Sequence, residues 1–209
     1  MAIFRALRRL RISRKAKSLH ATERDTPKGK RKRRNFRRRM ARVDPKRLVL
    51  VDETGAHTAM TRRFGRAPIG ERVEGAVPGH WESVTLVAAL RLSGVASPMA
   101  FAGAMDTPTF EGYVEQILVP QLRHGDVVVW DNLAPHQSRA ARRLVRGAQA
   151  RLMFLPPHSP DLTPIEGMFS KVKDVLRSVA ARTTATVYAA MDQALKSVHG
   201  GDIMGWFQH

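Results

Sequence analysis

Asp126-Val127-Val128-Val129-Trp130-Asp131-Asn132-Leu133-Ala134-Pro135-His136 is the stretch on which the fold turns. Its first five residues are apolar and mostly β-branched after Asp126, the composition of a buried strand. The strand ends in a carboxylate, and turn chemistry follows at once. An ionised Asp beside an apolar strand is costly unless something compensates it. Other carboxylates placed the same way therefore matter. Leu48-Val49-Leu50-Val51-Asp52 repeats the design, and Thr163-Pro164-Ile165-Glu166 opens a helix with 34 residues between Asp131 and Glu166. Two strand-end carboxylates and one helix-start carboxylate can converge on a metal.

Outward from this stretch the elements alternate. Leu48–Asp52 is the first strand, apolar on both faces and so central and covered on both sides. The polar region from Thr54 to Gly79 reads as a long hairpin or loop. Ser83–Leu92 and Ala96–Phe101, joined at Ser93-Gly94, complete an antiparallel meander. Thr107–Leu122 reads as a helix, with Phe110, Val114, Ile117, Leu118 and Leu122 near one face and Asp106 or Thr107 as cap. Asp126–Trp130 is the fourth strand, Ser138–Ala148 a basic helix, and Ala150–Leu155 a fifth strand closed by Pro156-Pro157. A helix from Pro164 carries the stripe Ile165, Met168, Phe169, Val172, Val175, Leu176 and Val179. A last one, Thr184–Val198, packs through Val187, Met191, Leu195 and Val198. The order predicts an α/β fold, a mixed five-stranded sheet flanked by helices, with later strands entered through crossovers. That is the element order of a ribonuclease H-like fold. Asp52 and Asp131 both sit at carboxyl ends of strands, where sites form in open sheets.

Each carboxylate also has a bland reading. Asp52 can cap a turn with Thr54-Gly55, while Glu53 turns to the opposite face. Asp131 can form an Asx-turn before Pro135. Thr163 as N-cap, Pro164 at the first helical position and Glu166 three residues after the cap form a capping box. Asn132 and His136 add a polar cluster at the strand end; a lone His is more often structural than a ligand, and His136 is not assigned to the metal. Jointly the three carboxylates fit hard divalent cations, which take oxygen ligands. Two Mg²⁺ ions, with Mn²⁺ as substitute, would serve phosphodiester cleavage.

Charge supplies the complementary half. Residues 1–47 hold 20 Lys/Arg against 3 Asp/Glu, whereas the remaining 162 hold 16 against 15. A nearly neutral domain thus follows an intensely basic arm, which favours a polyanion, most simply nucleic acid. An anionic membrane is the competing partner, but the arm lacks the apolar face an interfacial helix needs. Ile3, Phe4, Leu7 and Leu10 give a short amphipathic helix, or the last helix of a helix-turn-helix whose basic face meets DNA. Thr26–Arg39 reads as a charge block, extended or mobile without a ligand. Candidate nucleic-acid contacts are Arg8, Arg9, Arg14, Lys15, Arg31, Lys32, Arg33, Arg34, Arg37 and Arg38. The chain has no cysteine, so disulfides and thiolate metal sites are excluded, which suits a reducing cytosol. No run reaches the length of a membrane span. An Arg-rich start is compatible with a transit peptide, but the basic run continues far past one.

The blocks Val51-Asp52-Glu53-Thr54-Gly55, Trp130-Asp131-Asn132-Leu133 with His136, and Leu155-Pro156-Pro157-His158-Ser159-Pro160-Asp161-Leu162-Thr163-Pro164-Ile165-Glu166 resemble those of the bacterial insertion sequence 630 transposases, of the mariner superfamily. The last block and the spacing of 34 are the most specific, and the resemblance runs from about Pro45 to the C-terminus. A weaker similarity over Met1–Asp25 resembles the end of that family's helix-turn-helix region. The resemblance implies a retroviral integrase-type domain with Asp52, Asp131 and Glu166 as the metal-binding catalytic triad. It implies cleavage of double-stranded DNA at transposon ends, joining of the 3′-hydroxyl to a TA target, and a homodimer or higher assembly on DNA in the bacterial cytoplasm, at the nucleoid. The expected division is 1–25 as a helix-turn-helix remnant, 26–44 as a basic linker and 45–209 as the catalytic domain. Where the family commonly has Asn and a bulkier aromatic, this chain has Thr163 and Phe169. The short N-terminal module and the ending at Trp206-Phe207-Gln208-His209 read as a truncated copy. The alternatives are a catalytically inactive, basic DNA-binding relic and a cellular nuclease of the same fold; retention of all three carboxylates argues against the first, the Pro-Ile-Glu block against the second.

Overall fold

Leu48, Val49, Leu50 and Val51 are at most 6% exposed, because the strand they form lies in the middle of a sheet covered on both faces. The computed structural model describes residues 2–12 and 20–208. Five strands, β1 (Leu48–His57), β2 (Ser83–Arg91), β3 (Gly94–Ala102), β4 (Val127–Trp130) and β5 (Arg151–Phe154), form one sheet in the order β3-β2-β1-β4-β5. β1, β2 and β3 are the expected antiparallel meander; β4 and β5 run parallel to β1 and to each other. The mixed five-stranded sheet read from the sequence is therefore the one observed.

Alternation along β1 divides the core. Leu48 and Leu50 face a cluster with Met168, Phe169 and Val172 of α5 (Ile165–Val179) and Val187 and Met191 of α6 (Thr184–Lys196). Val49 and Val51 face the other cluster, with Phe110 and Tyr113 of α3 (Thr107–Tyr113) and Val145 of α4 (Arg139–Gly147). Two-residue periodicity thus sends consecutive side chains into different layers. After α3 the chain stays helical through a widened turn, Val114–Leu118, and a tight one, Val119–Gln121, in which Pro120 ends the run.

Several elements differ from the sequence reading. β1 continues to His57, since Thr54, Gly55 and Ala56 pair with Leu86, Thr85 and Val84, so there is no turn at Thr54-Gly55. The long connection is residues 58–82, where Phe64, Ile69 and Trp81 are exposed. A helix α7 (Gly200–Gln208) follows α6 and had no counterpart in the pattern analysis.

The largest correction concerns the charge block. Residues 26–39 are not extended: Pro27–Met40 is a helix, α2. Thr26 caps it, its hydroxyl accepting from Gly29 N at 3.1 Å, and Pro27 fits the first turn. Gly29 is required there, because a Cβ would stand 2.5 Å from Glu23 O. Arg33 and Phe36 are buried against the domain, Phe36 joining the α5 cluster with Met40 and Val43 beside it. Arg33 reaches Asp161 through two hydrogen bonds of 2.9 and 2.6 Å. Docking of this narrow face offsets the mutual repulsion that composition alone emphasises. The basic residues Arg31, Lys32, Arg34, Arg37 and Arg38 point outward. A short helix α1 (Ala2–Arg9) carries Arg8 and Arg9, both exposed, whereas Arg14 and Lys15 lie outside the described residues. Among the described residues no helix is long and apolar enough to cross a membrane.

Candidate active site

The first half of β1 lies beside the carboxyl end of β4, since Leu50 pairs with Val129 in parallel register. Asp52 and Asp131 follow two residues later on each strand. Asn132 donates from its side-chain amide to Leu155 O, and so ties the end of β4 to the Pro156-Pro157 segment. That segment folds over as one wall of a cleft of about 330 Å³, lined by Asp52, Asp131, Leu133, His158, Ser159 and Glu166 among others. The three expected carboxylates therefore face one cavity from three elements.

The bland explanations fare differently. Asp52 does not cap a turn; its Oδ1 accepts from Glu53 N at 2.8 Å within a continuing strand. The capping box at Glu166 does not form. Pro164 occupies the cap position of α5 without a side-chain bond, and only a backbone contact joins Glu166 N to Thr163 O. The Glu166 side chain is left for the cleft. Its helix turn is held from behind, where Trp206 of α7 packs so closely on Gly167 that a Cβ there would sit 2.5 Å from the indole. Asp131 does make the Asx-turn, Leu133 N donating to its Oδ1 at 2.9 Å, and lines the cleft as well.

The arrangement is electrostatically incomplete. Burial first, then the charges of Glu53, Glu166 and Asp131, push the Asp52 carboxyl up to about 7, against the opposing bond from Glu53 N. Burial likewise raises Glu166, opposed by Lys173 and reinforced by Asp131. Among the described residues no Lys or Arg lines the cleft. Lys173 acts on Glu166 and a histidine backs Asp131, but among the described residues Asp52 has no basic partner, and carboxylates gathered in such a half-buried space fit a hard cation with oxygen ligands. Among the described residues the carboxylates are spaced around the cleft rather than drawn into one set of three ligands.

Pattern reasoning undervalued His136 and Glu53. The imidazole is fully buried; Nδ1 pairs with Asp131 Oδ1, and Nε2 stands 3.0 Å from Glu53 Oε2. The second contact is an ion-pair distance without hydrogen-bond alignment, and neither of its atoms has another hydrogen-bond partner. Phe110 lies against the ring at 4.3 Å between centroids, with Trp130 beyond. Burial works against a charged ring, but Asp131 and Glu53 outweigh it and the pKa rises to about 9. His136 is thus a strut behind Asp131, not a cleft residue. The signal was present in the alternation that sends Glu53 to the opposite face from Asp52.

Comparison with known proteins agrees with this geometry. The family described as DDE superfamily endonuclease matches residues 47–187. The Transposable element Tcb1 transposase of Caenorhabditis briggsae is 30% identical over 100 residues, covering 46% of this chain and 37% of that protein. Among solved structures, a pre-cleavage Mos1 transpososome superposes with a TM-score of 0.78 at 15% identity, over 99% of this chain and 66% of that one. The Mos1 mariner paired-end complex with Mn gives 0.77 at 17% identity, over 99% and 66%. The isolated catalytic domain of Mos1 mariner transposase gives 0.68 at 16%, over 92% and 91%. The chain spans less than two thirds of the Tcb1 transposase and of the Mos1 chain in those complexes. At these identities the structural likeness is one of fold: a ribonuclease H-like sheet with flanking helices. With two thirds of its length matched by the family, the chain belongs to the DDE superfamily endonucleases.

Proposed function

We propose that this chain cuts double-stranded DNA at transposon ends and joins the resulting 3′-hydroxyl to target DNA, with Asp52, Asp131 and Glu166 as the catalytic carboxylates. The observation that carries this reading is their convergence on one cleft that no Lys or Arg of the described residues lines. Those three residues would hold two Mg²⁺ ions, for which Mn²⁺ would substitute. When bound, the ions would supply activation of the attacking water or 3′-hydroxyl and stabilise the leaving oxygen. The chain's own residues do the positioning. The ladder of β1 fixes Asp52, the end of β4 fixes Asp131, the first turn of α5 fixes Glu166, and His136 holds Asp131 in one orientation. The basic residues of α1 and α2, Arg8, Arg9, Arg31, Lys32, Arg34, Arg37 and Arg38, grip the phosphate backbone; Arg14 and Lys15 belong to the same set by sequence. Arg33 serves chiefly to dock α2. Residues 45–209 form the catalytic unit and 26–44 its basic handle.

The resemblance of the three sequence blocks, with their spacing of 34, supports an insertion sequence 630 type and, with it, a TA target. Two chains, or more, would bring two ends together, as the paired-end complexes of Mos1 are named for doing. The bacterial cytoplasm, on the nucleoid, is the corresponding location.

The deciding experiment is nicking of supercoiled plasmid with Mg²⁺ or Mn²⁺ by the chain and by Asp131→Asn. Asn keeps the shape and removes the charge. Metal-dependent nicking lost in the variant supports the triad; equal nicking by both points to another site. DNA binding without nicking in either would leave the inactive DNA-binding relic as the function.

A further inference from the structure

A second group of basic residues gathers away from the carboxylates. Arg39 ends α2, Arg42 follows it, Arg146 lies in the last turn of α4, and Arg151 opens β5. These four arginines line one open cleft of about 430 Å³ over an apolar floor that includes Val43 and Met153. All four are exposed, and among the described residues none takes part in an ion pair. The carboxylate nearest in sequence, Asp44, caps the turn that follows, accepting from Lys46 N at 2.9 Å, and pairs with none of the four. The strand-start acid Asp126 is buried and paired with Arg91. α4 carries no acid at all.

Basic residues in the last turn of a helix complement its dipole, which explains Arg39 and Arg146 individually. It explains neither Arg42 nor Arg151, and not the convergence of three elements. Four guanidiniums sharing a cleft repel one another, and no ion pair among the described residues offsets that. An anionic ligand does.

We infer that this cleft is a second nucleic-acid contact, gripping the phosphate backbone of duplex DNA at the end of the sheet opposite the carboxylates. The choice of duplex DNA rests on the endonuclease reading above. Geometry favours a long polyanion over a small one. α2 is docked beside the carboxylate cleft by Arg33 on Asp161 and ends at this cleft with Arg39. Its 14 residues span about 21 Å at 1.5 Å per residue. Its outward basic face connects the two sites into one track. Arg151 pairs with Val127, four residues before Asp131, which places the cleft about 13 Å down the strand direction from the carboxylate end. At 3.4 Å per base pair, a duplex lying on the track would meet the two sites roughly four to six base pairs apart.

The test is fluorescence anisotropy of a labelled 30-base-pair duplex with the full chain, titrated between roughly 50 and 200 mM salt. Arg146→Ala/Arg151→Ala should reduce the slope of log affinity against log salt by about 2, at about 0.9 per lost phosphate contact, and weaken binding roughly 50-fold at 0.1 M salt. Arg146→Lys/Arg151→Lys keeps the charge and should retain most of the slope. Arg177→Ala/Lys196→Ala, which removes surface cations already paired with Asp174 and Asp192, should match wild type. Wild-type binding with an unchanged slope in the Ala variant would overturn the cleft and leave the endonuclease reading standing. A wild-type chain that fails to bind duplex at all would overturn both. Mn²⁺ binding, followed by water-proton relaxation, should be equal in all four proteins; its loss in the cleft variant would mean a structural effect and overturn the assignment.

Discussion

His136 Nε2 stands 3.0 Å from Glu53 Oε2, and the other nitrogen of the same ring is bonded to Asp131. A buried ring thus connects β1 to the residue that follows β4. Outer partners of ligating carboxylates set their orientation, and losing one typically costs 10–100-fold in metal affinity or activity. His136→Ala should lower plasmid nicking by roughly that factor and weaken Mn²⁺ binding in parallel, with duplex binding unchanged. His136→Gln, which retains one donor, should fall between. Nicking rates and Mn²⁺ titrations on the three proteins decide it; unaltered Mn²⁺ affinity in His136→Ala would reduce the ring to a packing role.

Asp52 provides a pH test. Its carboxyl, ordinarily near 3.8, is raised to about 7, so the apo fold favours its neutral form. The stability this group contributes is present below 3.8 and is lost as pH rises through 7. Without divalent cation, Asp52→Asn should therefore unfold at higher temperature than wild type at pH 8, with the difference shrinking towards pH 5. Since the cation needs the ionised form, Mn²⁺ affinity should fall by up to about tenfold per pH unit below 7. Scanning calorimetry and Mn²⁺ titration across this range measure both effects.

The opposite sign applies to Asp161. Its bonds with Arg33, opposed by partial burial, hold its carboxyl below the ordinary 3.8. The stabilisation is present above that value and is lost as pH falls through the lowered one. Asp161→Ala strands a guanidinium whose side chain is only 6% exposed. Because Asp161 itself is 39% exposed, the cost is discounted from that of a fully buried pair to about 1–3 kcal/mol. Urea unfolding should show this difference at pH 7 and a shrinking one as pH falls below 3.8. A constant difference across that range would mean that the pair does not hold α2.

Gly167 is the position least able to accept a side chain on α5. Gly167→Ala drives a methyl into Trp206, and overpacking of this kind costs about 1–3 kcal/mol. Trp206→Ala should also destabilise, but the double variant should be better than the sum of the two, since the methyl then has space. Nicking should drop in Gly167→Ala, because the displaced turn carries Glu166. A denaturation cycle on the four proteins gives the coupling; strict additivity would mean that the two residues do not press on each other.

Strands and carboxylates were readable from sequence because apolar runs ending in Asp are short and uninterrupted. The candidate cleft followed from where those runs ended. What escaped had physical reasons. In α2 the docked face is only Gly29, Arg33, Phe36 and Met40, and surrounding charge hides it. One of its anchors is itself an arginine, satisfied by an aspartate 128 positions away. α7 is glycine-rich, so its propensity is weak, and it forms through Ile203 and Trp206 packing on the α5 side of the core. Thr163 and Glu166 have the spacing of a capping box, but the tight turn Pro160–Leu162 and Pro164 at the cap position deny it the backbone geometry. His136 looked unremarkable because its partners come from two strands.

Consecutive residues of β1 serve different compartments: Asp52 the cleft, Glu53 the strut behind it. The arrangement makes the site unusually sensitive to chain length just upstream. Losing a single codon between Leu48 and Val51 would slide Glu53 into the place of Asp52 and leave His136 facing whatever came next. Because both apolar clusters accept the same aliphatic residues, such a frame-preserving deletion could leave the sheet assembled while silencing the enzyme in one step. Inheritance of this strand is thus constrained more tightly in its spacing than in its composition.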